Sequence, residues 1–390
     1  MRFGTIFKCL LVIVFGIPLL SYLLLVAINF NDEAKSETVI GFETFLSERM
    51  TIDDSDNGFV YAAGLSAPPE DDFYQTGINR ILAANNNDYL KDSLSKEIAL
   101  DTAKANEDIY KLLSPCGMPE RFSDACNDHL LANSEKIDAV LANHNVLLQR
   151  YKILISQTHW YESVRLNLYN SIPLAPWSTG HNLLMLEVWR EASKGNKAAS
   201  VALLQQDNAF WQNAMGSTQY LINLMFMSAM LKQNYQWGDL AFKNFNQTDI
   251  EQADIKVWLT GFNEFPFSFN KVIKGEWLVA NSAFSEIYRQ EEWWLIFVKP
   301  IFNEQNTSNL YAERLIGAAQ IEQVSDASIA LSAKCSQAWS FSLLTWYAYN
   351  PIGKLMVCSV GADLNMNSYR IELAQVEELR LALQKSLQAN

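Results

Sequence analysis

The sequence is poor in charge, in histidine and in the two residues that interrupt regular structure. Charged residues make up 19% of the 390 positions, and the chain has only 4 His, 16 Gly and 10 Pro. Apolar residues reach 49% and aromatic residues 12%. This apolar content excludes an intrinsically disordered protein. A chain of this length can bury a sizeable core, in one large domain or in two.

Basic residues are the scarcer charged class. Lys and Arg number 30 against 43 Asp and Glu, which gives a formal net charge of −13. Nucleic-acid-binding proteins use clustered basic side chains to neutralise phosphates. We therefore expect no nucleic-acid partner, and a net negative charge of this kind favours solubility.

Common catalytic and phosphate-binding motifs are also missing. The chain has neither a G-x-x-x-x-G-K-[ST] loop nor a G-x-G-x-x-G fingerprint, and residues 64–68 (GLSAP) lack the second glycine of a nucleophile elbow. His129, His144 and His159 recur every fifteen residues. That spacing separates them by about 22 Å along one helix, so they cannot share a metal ion there. We expect no metal and no cofactor, and His181, near a predicted helix start, is the histidine best placed to act as a neutral base.

Two acids lie among aromatic residues that could raise the pKa of a carboxyl group: Glu162 in HWYES and Glu187 in LMLEVW. Hydrolysis of a glycan requires two positioned carboxylates. A helix-surface or buried hydrogen-bonding role is the other interpretation for each acid.

An uncharged apolar run lies near the N-terminus. It covers residues 9–28, follows Arg2 and Lys8, and precedes Asp32 and Glu33. Twenty helical residues rise by about 30 Å, the hydrocarbon thickness of a bilayer. The positive-inside rule predicts a cytoplasmic N-terminus at residues 1–8, a transmembrane anchor at 9–28 and the remainder outside.

A cleaved signal peptide is the alternative interpretation of this run. Signal peptides have an apolar core of about 7–15 residues that ends at small residues spaced A-x-A. Here the run is longer, and Ala27 has Leu25 two positions before it. We expect an uncleaved anchor, a membrane-proximal segment at 29–60 and one helical periplasmic domain at 61–390.

The cysteines fit this compartment. Of the 5 Cys, Cys9 belongs to the apolar run, which leaves Cys116, Cys126, Cys335 and Cys358 outside it. An even number of cysteines in an oxidising compartment permits disulfides. The first pair is flanked by Pro and Gly residues that break helices, and its spacing matches neither a C-x-x-C redox motif nor a zinc site. We predict a Cys116–Cys126 bridge, and Cys335 with Cys358 is the remaining pair.

Most of the chain after residue 60 follows a helical period, which predicts a mainly α fold. The spacing of apolar residues from 130 to 154 predicts a long helix with one break. Residues 181–235 predict three helices separated near Gly195 and Gly216, and residues 365–388 predict an amphipathic helix. Residues 337–360 are ambiguous between a short β-hairpin that turns at 350–353 and a helix followed by a strand-like stretch.

Aromatic residues concentrate in two stretches of the second half, around 262–269 and 293–297. The first has a loop-like composition, and the second is a short apolar run that Lys299 and Pro300 end. They form a candidate interaction surface, and ordinary core packing is the other interpretation. The candidate residues are Phe262, Phe265, Phe267, Phe269, Trp293 and Trp294.

Three strings, with the spaced cysteine pair, resemble a group of membrane-anchored proteins from gamma-proteobacteria: NGFVYAAGLSAPPEDDFYQTG, NEQNTSNLYAE and YNPIGKLMV. The resemblance covers most of the chain beyond the apolar run. No activity is assigned to the group, so it transfers no functional residues, but it implies that the outer compartment is a bacterial periplasm. We therefore expect an inner-membrane-anchored binding or scaffolding protein whose partners are the lipid bilayer and an envelope protein. An envelope hydrolase acting on glycan or peptide is the alternative.

Overall fold

The structure, a computed structural model, describes residues 12–47, 54–85, 102–116, 124–163, 173–245, 258, 260–261, 269–319, 326–336, 344–361 and 366–389. Within these ranges the chain is mainly helical, and its β pairing is limited to an isolated bridge between Asn57 and His159. The all-α class is confirmed.

The described residues form α-helices together with short π and 3-10 turns. A π-helical turn, Val12–Gly16, precedes the first, and 3-10 turns lie at Asp54–Asp56, Ser114–Cys116 and Lys299–Ile301. The α-helices are α1 Ile17–Ile28, α2 Glu37–Ser47, α3 Gly58–Gly64, α4 Phe73–Asn85, α5 Thr102–Leu113, α6 Asp124–Ala132, α7 Ser134–Asn143, α8 Asn145–Ile155, α9 Ala175–Ser193, α10 Lys197–Ser217, α11 Leu221–Phe242, α12 Phe269–Arg289, α13 Leu295–Val298, α14 Glu304–Ala319, α15 Asp326–Ser336, α16 Leu344–Ala348, α17 Pro351–Gly361 and α18 Met366–Ala389.

The predicted transmembrane anchor is only partly covered, because its residues 9–11 lie outside the described ranges. Residues 12–28 form the π turn and α1. Among the residues described, none of the helices combines the length and the apolar character needed to cross a bilayer.

The β-hairpin considered for residues 337–360 is wrong over the described part of that stretch. Residues 344–361 form α16 and α17, and residues 337–343 lie outside the described ranges. Asn350 takes a φ of 48°, which reverses the chain between the two helices. Pro351 then occupies the first position of α17, where its missing N–H costs nothing. The turn predicted at these residues therefore connects two helices and not two strands.

Other boundaries are confirmed or corrected in the same way. The three helices separated at Gly195 and Gly216 are α9, α10 and α11, and the amphipathic C-terminal helix is α18. The long helix predicted for 130–154 is instead α6, α7 and α8, with breaks at Asn133 and His144. The loop-like composition extends over residues 261–282, yet its residues 269–282 lie in α12.

The chain divides into two compact units. The first unit contains residues 1–49 and 273–366, and the second contains 50–272 and 367–390. No shift in composition marks this division in the sequence. The domain boundaries expected at residues 8, 28 and 60 stay predictions.

In the first unit, α14 packs against α2, α15 and α17. Tyr311, Ala312 and Leu315 on α14 are at most 3% exposed. Phe42 of α2 meets the edge of Trp277 with ring centroids 5.8 Å apart. Full burial of one such side chain stabilises a fold by about 1.5–3 kcal/mol. These buried side chains therefore contribute to the hydrophobic core of the first unit.

In the second unit, α9, α10 and α11 pack against one another around the buried Trp177 and Trp211. Helices α3 and α4 cross at a pair of glycines. A Cβ on Gly64 would lie 1.7 Å from the Phe73 carbonyl oxygen, and one on Gly77 would lie 2.0 Å from the carbonyl of Val60. This backbone approach therefore requires glycine at both positions.

The loop between α3 and α4 is held by an arginine from α8. The Nη1 atom of Arg150 donates to the carbonyl of Ala67 at 2.5 Å, and its Nη2 atom donates to the carbonyls of Pro68 at 2.7 Å and Asp71 at 2.9 Å. A loop with buried carbonyls requires such partners, because an unpaired buried carbonyl is costly.

Candidate functional site

Both predicted cysteine pairs are bonded. Cys116 and Cys126 have Cα atoms 4.6 Å apart, and Cys335 and Cys358 have Cα atoms 5.0 Å apart. The first bridge ties the 3-10 turn Ser114–Cys116 to α6, and the second ties α15 to α17. In the chain-entropy model, each bridge stabilises the fold by about 3 kcal/mol.

Glu162, a candidate catalytic acid, lies in the interior of the second unit and is 1% exposed. Its Oε1 atom accepts from Thr218 Oγ1 at 2.5 Å, Asn223 Nδ2 at 2.7 Å and Trp160 Nε1 at 3.2 Å, and its Oε2 atom accepts from the Gln219 amide at 2.8 Å. Burial raises the pKa of this carboxyl, whereas the four donors act in the opposite direction. Glu162 therefore joins the segment at 160 to the start of α11 and is closed to substrate.

The second candidate acid, Glu187, is half-buried on α9. Its Oε1 atom accepts a hydrogen bond of 2.7 Å from Lys152 Nζ on α8. A paired carboxylate between two packed helices contributes to helix packing, as does Glu162. The geometry around these two acids does not support their use as a hydrolytic pair.

The three regularly spaced histidines lie on different elements because the helix breaks at Asn133 and His144. The Nε2 atom of His129 is 3.0 Å from the carbonyl of Leu112, and that of His144 is 3.1 Å from Oδ2 of Asp108. Across the described ranges, no group of three or more His, Cys, Asp or Glu residues has an arrangement that could hold a metal ion.

His181 differs from its predicted position. It lies within α9 and not at its start, and it is fully buried. Its Nδ1 atom is 3.1 Å from the hydroxyl of Tyr151 and 3.3 Å from Oδ1 of Asp207. Its Nε2 atom is buried without a hydrogen-bond partner.

These residues belong to a buried polar group that we call the Asp207 cluster: Tyr151, His181, Asp207, Trp211 and Asn234. Oδ1 of Asp207 accepts from the Tyr151 hydroxyl at 2.8 Å and from Trp211 Nε1 at 3.2 Å, and Oδ2 accepts from Asn234 Nδ2 at 2.9 Å. Burial, reinforced by the Asp207 carboxylate, raises the pKa of Tyr151 well above its usual value. The cluster joins α8, α9, α10 and α11, so we interpret it as a polar core of the second unit.

The candidate aromatic surface is only partly described and only partly exposed. Trp293 and Trp294 are 78% and 47% exposed. Phe269 is 5% exposed, and the guanidinium of Arg370 lies 5.4 Å from the centroid of its ring, so Phe269 belongs to an interior. Three of the candidates lie outside the described residues: Phe262, Phe265 and Phe267.

Helix α1 presents apolar side chains on all sides and has no buried residue. Leu20 and Leu24 are 69% and 61% exposed. Tyr22 meets the apolar stretch that contains Trp293 and Trp294: its hydroxyl donates to the carbonyl of Phe297 at 3.2 Å, and the two rings meet edge to face at 6.2 Å. The exposed aromatic residues and α1 thus form one apolar surface of the first unit.

A group of buried asparagines lies directly after α1, and we call it the asparagine clamp: Asn29, Asn303, Asn306, Asn309 and Asn350. Nδ2 of Asn29 donates to the carbonyl of Ala348 at 2.9 Å. Oδ1 of Asn29 accepts from the backbone amide of Asn350 and from Nδ2 of Asn303. The end of α1 is therefore bound to the junction of α16 and α17 and to the start of α14.

The next residues continue along α14. The carboxylate of Asp32 accepts from the backbone amides at positions 305 and 306, at 2.7 and 2.9 Å, and so caps the positive end of α14. Asn309 donates from Nδ2 to the carbonyl of Ala34 at 2.9 Å and accepts at Oδ1 from the amide of Ser36 at 3.0 Å. The segment that follows α1 is thus bound to α14 through Asp32, Ala34 and Ser36.

The sequence analysis did not predict the asparagine clamp as a site. All of its members except Asn29 lie in two of the three strings that carried the resemblance, NEQNTSNLYAE and YNPIGKLMV. Asn303, Asn306 and Asn309 recur every three residues, which places them on one face of a helix. That spacing is the signal from which the site could have been found.

No family model, curated protein or solved structure matches this chain. The asparagine clamp, the exposed apolar helix and the two disulfides are the features of this chain that bear on its function.

Proposed function

We propose that this protein is held in the bacterial inner membrane by residues 9–28, with its helical part in the periplasm, and acts there as a binding or scaffolding protein. The observation that carries the proposal is the asparagine clamp. A simple tether requires only a flexible linker after the anchor. Here Asn29, Asp32 and Asn309 bind that segment to α14 and α17, so the anchor and the first unit move together.

Such coupling has a clear use in a scaffold. A domain rigidly joined to its anchor presents its surfaces at a fixed height and tilt above the bilayer. An enzyme acting on diffusible substrate has no need of this constraint. Fixed presentation favours a role in which a second envelope protein docks onto this one.

Three further observations support the membrane and the compartment. The side chains of α1 are apolar and unburied, and a surface of this kind favours lipid contact over water. Arg2 and Lys8 precede the apolar run, and acids follow it. The two disulfides fit an oxidising compartment.

The hydrolase alternative has less support. Glu162 is enclosed by four donors, and Glu187 is paired with Lys152. Neither carboxylate has the open position from which an acid protonates a substrate. We therefore retain the scaffold as the proposed function.

Topology is the first test. A reporter that is active only in the periplasm, fused after Asn390, should be active, and a reporter active only in the cytosol should be silent. The reverse result would overturn both the anchor and the compartment.

The scaffold role is tested by crosslinking intact envelopes and recovering the protein with its partners. We expect a reproducible envelope partner for the wild-type chain and for Asn31→Ala, and loss of that partner for Asn29→Ala. Asn31 is an exposed residue two positions from the clamp, so its variant is the matched control. Equal recovery from Asn29→Ala would show that rigid coupling has no role in docking.

A further inference from the structure

The stretch between α12 and α14 forms a short apolar projection on the first unit. Glu291 and Glu292 precede six consecutive apolar residues, 293–298, and Lys299 follows them. Trp293, Ile296 and Phe297 are 78%, 68% and 56% exposed, and Trp294 is 47% exposed. Single exposed apolar residues are ordinary, but four within five positions mark a surface that meets a partner. We call residues 293–298 the tryptophan projection.

The tryptophan projection lies against α1, and its contact fixes its height along that helix. The Tyr22 hydroxyl donates to the carbonyl of Phe297, and the two rings pack edge to face. Tyr22 precedes Ile28, the end of the apolar run, by six residues, which corresponds to about 9 Å along the helix. Elements that lie in a membrane interface bury their apolar face about 5–10 Å deep. With Ile28 at the edge of the hydrocarbon, as the proposed anchor requires, Phe297 would lie at the depth expected for insertion.

Polar groups mark the outer limit of the same surface. Nζ of Lys299 folds back and donates to the carbonyls of Tyr288 and Gln290, at 2.9 and 2.8 Å, so its charge lies toward the base of the projection. Directly after α1, Asn29 and Asp32 follow the apolar run with polar side chains. In both segments polar residues follow the apolar ones along the chain, an order typical of elements at a membrane–water interface. Tryptophan and tyrosine are both enriched at that interface.

We propose that the tryptophan projection inserts into the periplasmic leaflet of the bilayer that holds α1, and so gives the first unit a second lipid contact. This inference depends on the proposed anchor. A single helix can rotate about its own axis and tilt, whereas a helix with a lateral insertion cannot do so freely. The lipid contact and the asparagine clamp together set the orientation of the first unit.

The occupant of the surface is a lipid bilayer because the projection is continuous with α1 and lies at interfacial depth. A second copy of the chain or another envelope protein would also cover exposed tryptophans. Those two occupants are distinguished from lipid by the test.

The test places a photoreactive diazirine amino acid at single positions of the full-length protein in living cells. Positions 293 and 296 probe the projection, Leu20 probes α1, and Tyr110, which is 68% exposed on α5 of the second unit, is the control. Adducts are identified by mass spectrometry and by their sensitivity to phospholipase. All four side chains are exposed, so the replacements should not disturb folding.

We expect phospholipid adducts at 293, 296 and Leu20, and none above background at Tyr110. A lipid adduct at Leu20 with loss of the adduct at 293 and 296 would overturn the insertion while leaving the anchor intact. A protein adduct at 293 or 296 would assign the surface to a second copy or a partner. Absence of lipid at Leu20 would overturn the anchor itself, and the insertion with it.

Discussion

Replacement of Asn350 measures how firmly the asparagine clamp holds the chain behind α1. Its Nδ2 atom donates to Oδ1 of Asn306 at 2.7 Å, Oγ1 of Thr307 at 2.9 Å and the carbonyl of Asn303 at 3.1 Å. Its Oδ1 atom accepts from the amides of Asn303 at 3.0 Å and Gly353 at 3.1 Å. Because Nδ2 carries two hydrogens, its three acceptors share them, and this side chain contacts five polar groups at the junction of three helices.

The expected loss follows from these bonds. An intramolecular hydrogen bond contributes about 0.5–1.5 kcal/mol net, and each buried group left without a partner costs about 1–3 kcal/mol. Because the bonds share one side chain, their sum is an upper bound, and we expect Asn350→Ala to destabilise the clamp by about 3–5 kcal/mol. The φ of 48° adds a backbone contribution. The left-handed conformation costs an alanine about 1–2 kcal/mol and costs glycine little, so Asn350→Gly should destabilise the clamp by about 1 kcal/mol less than Asn350→Ala.

Native-state hydrogen exchange on the full chain in detergent micelles resolves these differences locally. Peptides from α14 and α17 report on the clamp, peptides from α10 provide the reference, and Asn31→Ala is the control that should match the wild type. If α14 keeps its protection in Asn350→Ala, the clamp is not a source of stability. If the Gly and Ala variants exchange at the same rate, the backbone part of the reasoning is wrong.

Three further predictions concern the Cys116–Cys126 disulfide and the titration of two charged groups. Replacing Cys116 and Cys126 together by Ser should lower the free energy of unfolding, measured in urea, by about 2–3 kcal/mol, because the bridge closes a short loop; an unchanged midpoint would contradict this. Burial lowers the pKa of Lys354 to about 8 from its ordinary value of 10.5. Between these two pH values the unfolded chain binds more protons than the folded chain, so the free energy of unfolding of the first unit should rise as the pH increases from about 8 to 10.5. The variant Lys354→Met should not show this rise when hydrogen exchange is measured over a series of pH values. Hydrogen bonds from Arg190 lower the pKa of Asp138 from 3.8 to about 2. Its contribution should be complete above about pH 4 and lost as the pH falls toward 2, and Asp138→Asn should flatten the thermal-unfolding profile in that window.

The sequence predicted elements well where their stabilisation is local. The apolar period of residues 181–235 and the glycines at 195 and 216 predicted α9, α10 and α11, because a buried helix shows its packing face in its own residues. The prediction of a hairpin at 350–353 was wrong for a related reason. Asparagine followed by proline and glycine favours chain reversal, and chain reversal joins two helices as readily as two strands.

The site could not be predicted, because its bonds join residues far apart in sequence. Asn29 meets Asn303 across 274 positions and Asn350 across 321 positions. Nothing near Asn29 indicates that its amide would be buried. The same holds for Glu162: its donors at 218–223 lie 56 to 61 positions away, so the local pattern of an acid among aromatic residues indicates a catalytic candidate.

The Cys335–Cys358 bridge shows the opposite case. Cys335 and Cys358 lie 23 positions apart in the sequence, yet they are bonded. The even number of cysteines outside the apolar run predicted this pair without any prediction of its geometry. Helices α15 and α17, which local patterns did not separate, supply the contact.

The arginine that holds the α3–α4 loop also bears on when this part of the chain can fold. Two short helices joined by a tight loop would ordinarily form early, since all their contacts are local. Here the loop carbonyls have no arginine donor until Arg150 has been synthesised, and Arg150 lies 79–83 residues further along the chain. At a synthesis rate of about 5–20 residues per second, roughly 4–16 s separate the loop from its arginine. During that interval the helix pair is incomplete, and its closure is coupled to the arrival of α8.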